Sequence, residues 1–486
     1  MNQGTQLELV PTRTGPPRLD PYRKLLARFY EVLFLLKSLG QTRGSHTPEP
    51  PTLDSHQARR RKFLRNLSYI CEFMKGGDAC TAIALEDHAH GHRFWVASNR
   101  GIDKIVIFVQ ETLAMLHSVV RFPSVGQEHA ESNFIRHCAD FAAQRIRKEG
   151  RLLQKYAKIC VTKLMQQDSK AAQKLLEWLE LAINHACDYS LCEFVYEHRH
   201  SVYINELAVQ ALSEKKNLGP EEPTSFDLVR HYVGRLAHHI RAPKQLLEDS
   251  YDLGYLMEDY HVCAVHPVPS VPSPVRDLHT NLRGILNRMF APEDAEKKSI
   301  ENGLLYINKT SNIFEDFLSE YNGRDRQVHA EIQVLEHFYK TGISFIEDDR
   351  FIACSKPACL CCALYFKHHP ARMVHLSSHQ KVWPRWSPPF LPRFVKGDKE
   401  TQLQKRVLSS IAQDLRLQVI LQVLQRSRSS LWHPDSRTSF TEPHPGLDLI
   451  EQQDDSSATT DEDSAVDDGE HDETWDSDDG GVAIHI

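Results

Sequence analysis

The sequence lacks the features of a secreted or membrane-spanning protein. Its first residues, Met1 to Gly4, have no basic segment followed by the apolar stretch of a secretory signal. No apolar run approaches the ~20 residues that cross a bilayer as a helix. Eleven cysteines in 486 residues are too sparse for a disulfide framework, and four of them crowd between Cys354 and Cys362, which favours metal binding. We therefore expect a cytoplasmic or nuclear protein with no membrane partner.

Basic residues are also absent from the end of the chain. Residues 451–486 contain fourteen acidic side chains and no Lys or Arg, which leaves all 58 basic and 51 of the 65 acidic residues in the rest of the chain, a net charge of +7 there. This surplus is compatible with a polyanionic substrate and equally with an ordinary solvated surface. The acidic tail has two interpretations. It is a solubilising segment, or it mimics a polyanion and occupies a basic groove with Trp475 as an anchor.

Length and patterning predict several regions in the chain. They are a flexible N-terminus (1–20), a helical segment (21–75), a β-hairpin (80–100), a helical region (103–261), a Pro-rich linker (262–276), an α/β region ending in a helix (277–426) and a disordered acidic tail (427–486). In the helical region, helices are predicted near 103–121, 129–165, 169–197, 203–214 and 225–258. In the α/β region, helices are predicted at 327–340 and 358–368, and strands at 350–353 and 373–376.

Two further patterns leave alternatives open. The run Arg59–Lys62 predicts a charged helix surface, with a localisation signal as the alternative. His88, His90 and His92 alternate in the turn of the predicted hairpin. Loop histidines without a cysteine or carboxylate constellation indicate solvent exposure more than a metal site.

One constellation carries most of the chemical information in the chain. His329-Ala330-Glu331 is followed by Pro357-Ala358-Cys359-Leu360-Cys361-Cys362. A histidine and a Cys-x-x-Cys pair supply three zinc ligands, which leaves the fourth tetrahedral position open for water, as in catalytic zinc sites. Cys359 and Cys362 lie one helical turn apart, and a helix N-terminus favours their thiolate forms. Glu331 is placed to move protons beside the open position.

This constellation resembles the H-x-E…P-C-x-x-C signature of zinc-dependent nucleobase deaminases, apart from Ala358, which separates the proline from the first cysteine. More narrowly, Cys354–Cys359 followed by Trp383–Trp386 resembles the fungal OTT-type deaminase-like proteins, over about residues 300–400. The resemblance implies a three-layer α/β/α cytidine-deaminase-like domain, combined here with a large all-α helical region.

The resemblance also implies the hydrolytic deamination of a nucleobase. Zinc held by His329, Cys359 and Cys362 would activate a water, and Glu331 would take its proton and return it toward the departing ammonia. Cys361 is expected to pack beside the site, and like Cys354 it would replace a ligand only with a changed backbone path. The implied substrate is a cytosine- or adenine-type base in nucleic acid or a nucleotide. The alternative is a catalytically inactive scaffold with structural zinc and protein-binding helices.

The same resemblance gives the predicted hairpin a place. In the deaminase fold a hairpin precedes the H-x-E helix, and Thr81–Asn99 has that form. We expect it to supply the first two strands of the zinc-bearing sheet, so that the helical block from Asp103 to about His261 is an insertion. A hairpin paired only within the helical region would contradict this hypothesis.

Substrate contacts are predicted with their alternatives. Trp383, Arg385 and Trp386 suit stacking and phosphate contacts on single-stranded nucleic acid, although the tryptophans are equally suited to pinning a loop to the core. A helical insertion that covered the pocket would restrict it to a free base, nucleoside or nucleotide. The residues expected at the pocket rim are His375, Ser377, Ser378 and His379.

Overall fold

The computed structural model describes residues 20–76, 79–122, 127–218, 223–322, 325–428 and 433–434. The predictions for the flexible N-terminus and the acidic tail fall almost entirely outside these residues. The chain is of the mixed α/β class, with 62% helix and a small four-stranded mixed sheet. The predicted fold class is therefore confirmed.

Helices dominate the described residues, and several begin at a side chain that caps them. Asp20, Asp54 and Thr224 accept hydrogen bonds from backbone N–H groups at the start of three helices. The predicted segments 129–165 and 169–197 each divide into two helices, because a short turn interrupts each. The helices are α1 (Pro21–Ser38), α2 (Ser55–Ile70), α3 (Ile102–Arg121), α4 (Gln127–Phe141), α5 (Ala143–Leu164), α6 (Lys170–Asn184), α7 (Tyr189–Glu197), α8 (Val202–Leu218), α9 (Ser225–Leu253), α10 (Leu282–Met289), α11 (Glu296–Ser311), α12 (Ile313–Ser319), α13 (Ala330–Thr341), α14 (Leu360–His368) and α15 (Lys399–Leu424).

Four strands form one mixed sheet in the order β3-β2-β1-β4. They are β1 (Thr81–His88), β2 (Gly91–Ser98), β3 (Tyr260–Ala264) and β4 (Ile352–Cys354). β1 pairs antiparallel with both β2 and β4, and β2 pairs parallel with β3. The hairpin is thus paired with the strand that leads to the cysteine motif, and the helices α3 to α9 connect β2 to β3. The hairpin is therefore not paired only within the helical block.

The structure differs from the sequence prediction at two strands. β3 lies partly inside the segment 262–276, for which the prolines predict a linker. Met373–Leu376, predicted as a strand, is not one. In this segment the Val374 N–H donates to the carbonyl oxygen of Arg350 at 3.0 Å, which is too little pairing to form a strand. Arg372 has a positive φ of 52°, which breaks the extended backbone just before the predicted strand.

Helices cover both faces of the sheet. On one face, the inward side chains join a buried core with residues of α2 and α3; these strand residues are Ile83, Leu85, Phe94 and Val96. On the other face, α13 packs against β1, β2 and β4. There the Trp95 ring lies against His337 of α13, with ring centroids 4.3 Å apart. The sheet therefore positions α13, which follows His329 in the chain.

A buried network of ion pairs joins the helical block together. Arg145 of α5 is fully buried, and its Nη1 lies 2.8 Å from Glu72 Oε2 while its Nε lies 3.2 Å from Glu149 Oε1. Arg235 Nη2 of α9 is 2.7 Å from the same oxygen of Glu149, and His239 Nε2 is 3.1 Å from the other. Charges removed from water to this extent are tolerated because each has a partner.

Glu72 extends this network to the loop that precedes the cysteine motif. Ser355 Oγ donates a hydrogen bond to Glu72 Oε1 at 2.7 Å, and Lys356 Nζ lies 3.5 Å from that oxygen. Thr81, at the start of β1, donates its N–H to Ser355 Oγ at 3.0 Å. The residues after β4 are therefore held by the helical block as well as by the sheet.

The run Arg59–Lys62 is not the exposed helix surface that its charge predicts. Arg60 and Arg61 are buried and ion-paired, with Arg60 Nη1 2.7 Å from Glu347 Oε2 and Arg61 Nη2 2.7 Å from Asp349 Oδ1. These partners lie 287 and 288 residues away along the chain. A local charge pattern does not reveal such pairs, so the surface prediction is wrong for both arginines.

The described residues belong to two compact units. One contains the residues up to 41, 271–326 and 390–428, and its helices α1, α10, α11, α12 and α15 pack on one another. The other contains 42–270, 327–389 and the described residues after 428, and it includes the sheet and the His-x-Glu and cysteine motifs. The predicted region 277–426 contains residues of both units.

Among the described residues, α15 is the helix that is long and apolar enough to cross a membrane by length and composition alone. The most apolar 18-residue stretch of this helix has a mean hydropathy of 1.2, and 39% of that stretch is buried. The sequence prediction sought an uninterrupted apolar run, which Asp414 and Arg416 break in this helix. The buried side chains of α15 recur every four residues and face α1 and α11; they include Val407, Ile411, Leu415, Val419 and Val423.

Candidate metal centre

Two helix N-termini meet at the motif residues. His329 is the N-cap of α13, with an extended backbone (φ −68°, ψ 152°), and Cys359 is the N-cap of α14 (φ −72°, ψ 166°). Both helices thus begin later than the predicted starts at 327 and 358. The exposed N–H groups and the dipoles of the two helices favour negative charge at this point.

Three donor atoms converge between these helix ends. His329 Nδ1 lies 3.7 Å from Cys359 Sγ and 3.3 Å from Cys362 Sγ, and all three atoms are within 4.8 Å of one another. Tetrahedral zinc, with bonds of about 2.0–2.1 Å to nitrogen and about 2.3 Å to sulfur, would hold such atoms about 3.6 Å apart. The spacing and the donor types are therefore compatible with zinc. The structure brings together the three residues predicted as ligands.

Glu331 lies beside this group and is not part of it. Its Oε1 is 3.9 Å from His329 Nδ1, and its side chain is buried. Its Oε2 is also buried and has no hydrogen-bond partner among the described residues. Two helical residues two apart point in divergent directions, but His329 precedes the helix, so its extended backbone lets the two side chains converge. An unsatisfied buried carboxylate oxygen is costly, and a polar ligand at the centre would satisfy it.

The electrostatics of the centre favour one thiolate and oppose a second. Burial alone would raise the pKa of Cys359, but the hydrogen bond with Cys362 and the nearby His329 lower the pKa of Cys359 to about 6. Burial raises the pKa of Cys362 well above its usual value, and the neighbouring Cys359 raises it further. A cation bound to both sulfurs would remove their mutual repulsion. The arrangement is therefore suited to a cation.

Trp386 makes a contact with the centre that the motif does not contain. It is fully buried, and its Nε1–H donates a hydrogen bond to Cys362 Sγ at 3.1 Å. Such a donor orients a ligating sulfur and spreads its negative charge. Because the indole is enclosed, it fills the second of its two predicted roles and pins its loop to the core. Trp383 is partly exposed, and its Nε1–H donates to His379 Nε2 at 3.4 Å.

Hydrogen bonds from neighbouring backbone segments hold the residues that precede His329 and Cys359. Gln327 N–H donates to the carbonyl oxygen of Arg385 at 2.9 Å, which ties the Trp386 loop to the residues before His329. Ala358, which precedes Cys359, donates its N–H to the carbonyl oxygen of Ser377 at 2.8 Å. Its own carbonyl oxygen accepts a hydrogen bond from Ser378 Oγ at 2.8 Å.

The predicted pocket rim does not have one uniform environment. Ser378 and His379 are buried, and the Ser378 hydroxyl and the His379 N–H both donate to the carbonyl oxygen of Ala358, the residue before Cys359. Ser377 is partly buried, and His375 is exposed.

A carboxylate joins the two helices of the centre. Tyr365 of α14 donates its hydroxyl proton to Glu336 Oε1 of α13 at 2.6 Å, and His369 Nε2 lies 3.3 Å from the same oxygen. Burial alone would raise the pKa of Glu336, but His369, the charge of Lys340 and Tyr365 together lower the pKa of Glu336 to about 2. The Glu336 carboxylate therefore stays ionised and fixes α13 relative to α14.

Other thiols and histidines lie outside the donor group. Cys361 and Cys354 are near the centre, and burial raises the pKa of each well above its usual value. Neither belongs to the group of donor atoms formed by His329, Cys359 and Cys362. Among the described residues, His88, His90 and His92 form no such group either.

Sequence reasoning did not predict the contacts that support the centre. Trp386 lies 24 residues from Cys362, and Glu336 lies 29 residues from Tyr365, so no local spacing links them. The sequence offers one indication of Glu336, which is that it follows Glu331 by five residues in the same predicted helix. The contact partners become visible only in the folded chain.

Part of the chain matches a protein-family model. Residues 328–390 match the model of the OTT_1508-like deaminase family. The matched segment contains the His-x-Glu motif, the cysteine motif and Trp386. The searches of curated proteins and of solved structures found no match. Over this segment the chain is similar to a deaminase-like family.

Proposed function

We propose that this chain is a zinc-dependent hydrolytic deaminase that acts on a cytosine- or adenine-type nucleobase in nucleic acid or a nucleotide. The observation that carries the proposal is the buried, unpartnered carboxylate oxygen of Glu331 beside three donor atoms. A group of three donors leaves one position of a tetrahedral ion open, and a structural site has no need of a neighbouring acid and base. The match of residues 328–390 to a deaminase-like family supports the same reaction class.

His329, Cys359 and Cys362 would hold the zinc. When bound, zinc supplies the Lewis acidity that allows water to lose a proton near neutral pH. Glu331 accepts that proton, and oxygen adds to the ring carbon that bears the amino group. The bond from this carbon to nitrogen then breaks, and Glu331 returns the proton to the departing nitrogen, which leaves as ammonia. The proton that remains on the added oxygen passes to the neighbouring ring nitrogen, so that the ring product is a carbonyl. Trp386 keeps the Cys362 sulfur oriented through its hydrogen bond.

The burial of the centre favours a second candidate function. Cys359, Cys362 and Glu331 are each no more than 3% exposed. A centre enclosed to this extent suits structural zinc in a catalytically inactive scaffold whose helices bind a protein partner. In that case Glu331 would have no role in chemistry.

Ammonia release distinguishes these candidates. Purified zinc-loaded protein is incubated with cytosine- and adenine-containing nucleosides, nucleotides and single-stranded oligonucleotides, and ammonia is measured over time. We expect release from one of these classes, and we expect His329→Ala to lose both bound zinc and activity because one of three ligands is removed. His129→Ala, at an exposed histidine of α4, is the matched control and should retain both. If the wild-type protein released ammonia no faster than His329→Ala from every substrate, the inactive scaffold would remain as the proposed function.

A further inference from the structure

A basic cleft lies in the unit that does not contain the metal centre. Its volume is about 630 Å³, and α1, α10 and α15 contribute most of its walls. Five cationic side chains and one carboxylate line it; they are Lys24, Arg28, Arg288, Lys405, Arg416 and Glu31. None of them belongs to the His-x-Glu or cysteine motifs. The cleft therefore has a chemistry of its own.

Part of this positive charge is not engaged in an ion pair. Arg288 is ion-paired with Glu31, and Arg416 lies 4.0 Å from Asp294. Lys24, Arg28 and Lys405 are exposed, and in the described part of the chain no carboxylate lies within 4.0 Å of their cationic nitrogens. Like charges gathered around one concave surface attract an anion.

The floor of the cleft is apolar. It is lined by Leu25, Phe29, Val32, Met289 and Leu408. An anion that filled this cleft would need apolar groups beside its charges, as an acidic peptide with Leu or Ile side chains has. The remaining aromatic residue of the lining, Phe394, stacks on Tyr22 with ring centroids 4.7 Å apart and an interplanar angle of 14°. One face of this ring is therefore occupied, which disfavours a nucleic acid that needs aromatic platforms for its bases.

The chain contains a segment with the required chemistry. Residues 446–455, Gly-Leu-Asp-Leu-Ile-Glu-Gln-Gln-Asp-Asp, combine three aliphatic side chains with four carboxylates and have no basic residue. The segment begins 18 residues after Arg428, which is the last residue of the unit that contains the cleft. Attachment to the same chain gives such a segment an effective concentration of about millimolar at the cleft, so a weak intrinsic affinity is sufficient for binding.

We propose that residues 446–455 bind this cleft, with Leu447, Leu449 and Ile450 on the apolar floor and the carboxylates against Lys24, Arg28 and Lys405. In this proposal the anchor of the acidic tail is the aliphatic cluster Leu447, Leu449 and Ile450, and not Trp475. Bound there, the segment excludes other polyanions from the cleft. The proposal does not depend on the metal centre or on the proposed function.

A labelled peptide tests this contact in the full-length chain. The peptide covers residues 446–456, and the protein is a full-length variant in which the segment is neutralised by Asp448→Asn, Glu451→Gln, Asp454→Asn and Asp455→Asn. Fluorescence anisotropy at low salt should show saturable binding to this variant. Binding to the wild-type chain should be at least about tenfold weaker, because its own segment occupies the cleft.

Charge reversal locates the binding site. In the neutralised variant, Lys24→Glu with Lys405→Glu should weaken peptide binding by at least about tenfold. Lys298→Glu with Lys309→Glu is the matched control, since it makes the same charge change at exposed lysines of α11 outside the cleft. The control should bind the peptide as well as its parent does. Circular dichroism melting curves verify that both double variants are folded.

Three results would overturn the proposal. The first is the absence of peptide binding to the neutralised variant. The second is an equal loss of binding in both lysine double variants, which would show general charge attraction in place of a site. The third is binding of a single-stranded oligonucleotide that requires Lys24 and Lys405, together with no binding of the peptide. This result would assign the cleft to nucleic acid.

Discussion

Glu331→Gln lowers the rate of ammonia release by about a thousandfold while zinc stays bound. The side chain keeps its size, and the three donor atoms of His329, Cys359 and Cys362 are untouched. An amide cannot accept the proton of water or return it to the leaving nitrogen, and the loss of a positioned acid and base costs about 10²- to 10⁴-fold. This result is expected only if Glu331 takes part in the chemistry.

Zinc content and rate must be measured on the same preparations. Glu315→Gln, an exposed glutamate of α12, is the matched control and should leave both quantities unchanged. Ammonia release by Glu331→Gln at the wild-type rate would remove the acid and base role from this residue. Loss of zinc together with activity would instead make Glu331 part of what holds the ion.

Arg145→Ala lowers the free energy of unfolding by about 3–5 kcal/mol. Arg145 is fully buried between the carboxylates of Glu72 and Glu149, and its guanidinium lies over the Tyr69 ring at 4.5 Å. Truncation leaves Glu72 without its arginine and Glu149 with one fewer partner, in surroundings from which water is excluded. Breaking a buried pair in this way costs about 3–5 kcal/mol, which is a large part of the stability of a typical domain.

The measurement is denaturant unfolding followed by circular dichroism. Arg136→Ala is the matched control, because Arg136 is 59% exposed and its Nε lies 3.4 Å from Asp140 Oδ1 on the same helix. Exposed pairs of this kind contribute about 0–1 kcal/mol. If Arg145→Ala were no more destabilising than Arg136→Ala, the buried network would not be what joins the helical block to the loop before the cysteine motif.

The sequence predicts those features of the fold that arise from local patterns. Apolar residues recur with helical spacing in α1, α2 and α15, and a polar turn separates two apolar runs at Thr81–Asn99, so both helices and hairpin can be found by periodicity. The donor residues of the centre are also a local pattern, since zinc-site spacing brings Cys359 and Cys362 together on one helix.

Features that depend on distant contacts are not predictable in this way. β3 is short and is stabilised by parallel pairing with β2 across the whole helical block. Arg60 and Arg61 appear as surface charge until their partners Glu347 and Asp349 are placed beside them. The same holds for Trp386, whose hydrogen bond to Cys362 arises from the path of its loop. In each case a long-range contact gives a residue a role that its neighbours in sequence do not indicate.

The extended caps show how a small backbone difference decides the chemistry. A helix that began at 327 would send His329 and Glu331 to divergent sides of α13. Because His329 lies outside the helix, its Nδ1 is 3.9 Å from Glu331 Oε1 and still close to both sulfurs. One residue of extended backbone therefore lets the donor group and the acid and base share a single site.

X-ray absorption spectroscopy of the purified protein at the zinc edge tests the central claim most directly. The structure predicts one zinc per chain, with two sulfur neighbours at about 2.3 Å and two nitrogen or oxygen neighbours at about 2.0–2.1 Å. Three or four sulfur neighbours would show that Cys361 or Cys354 closes the open position. Zinc well below one per chain after purification without chelators would contradict the assignment of these three residues as a metal centre.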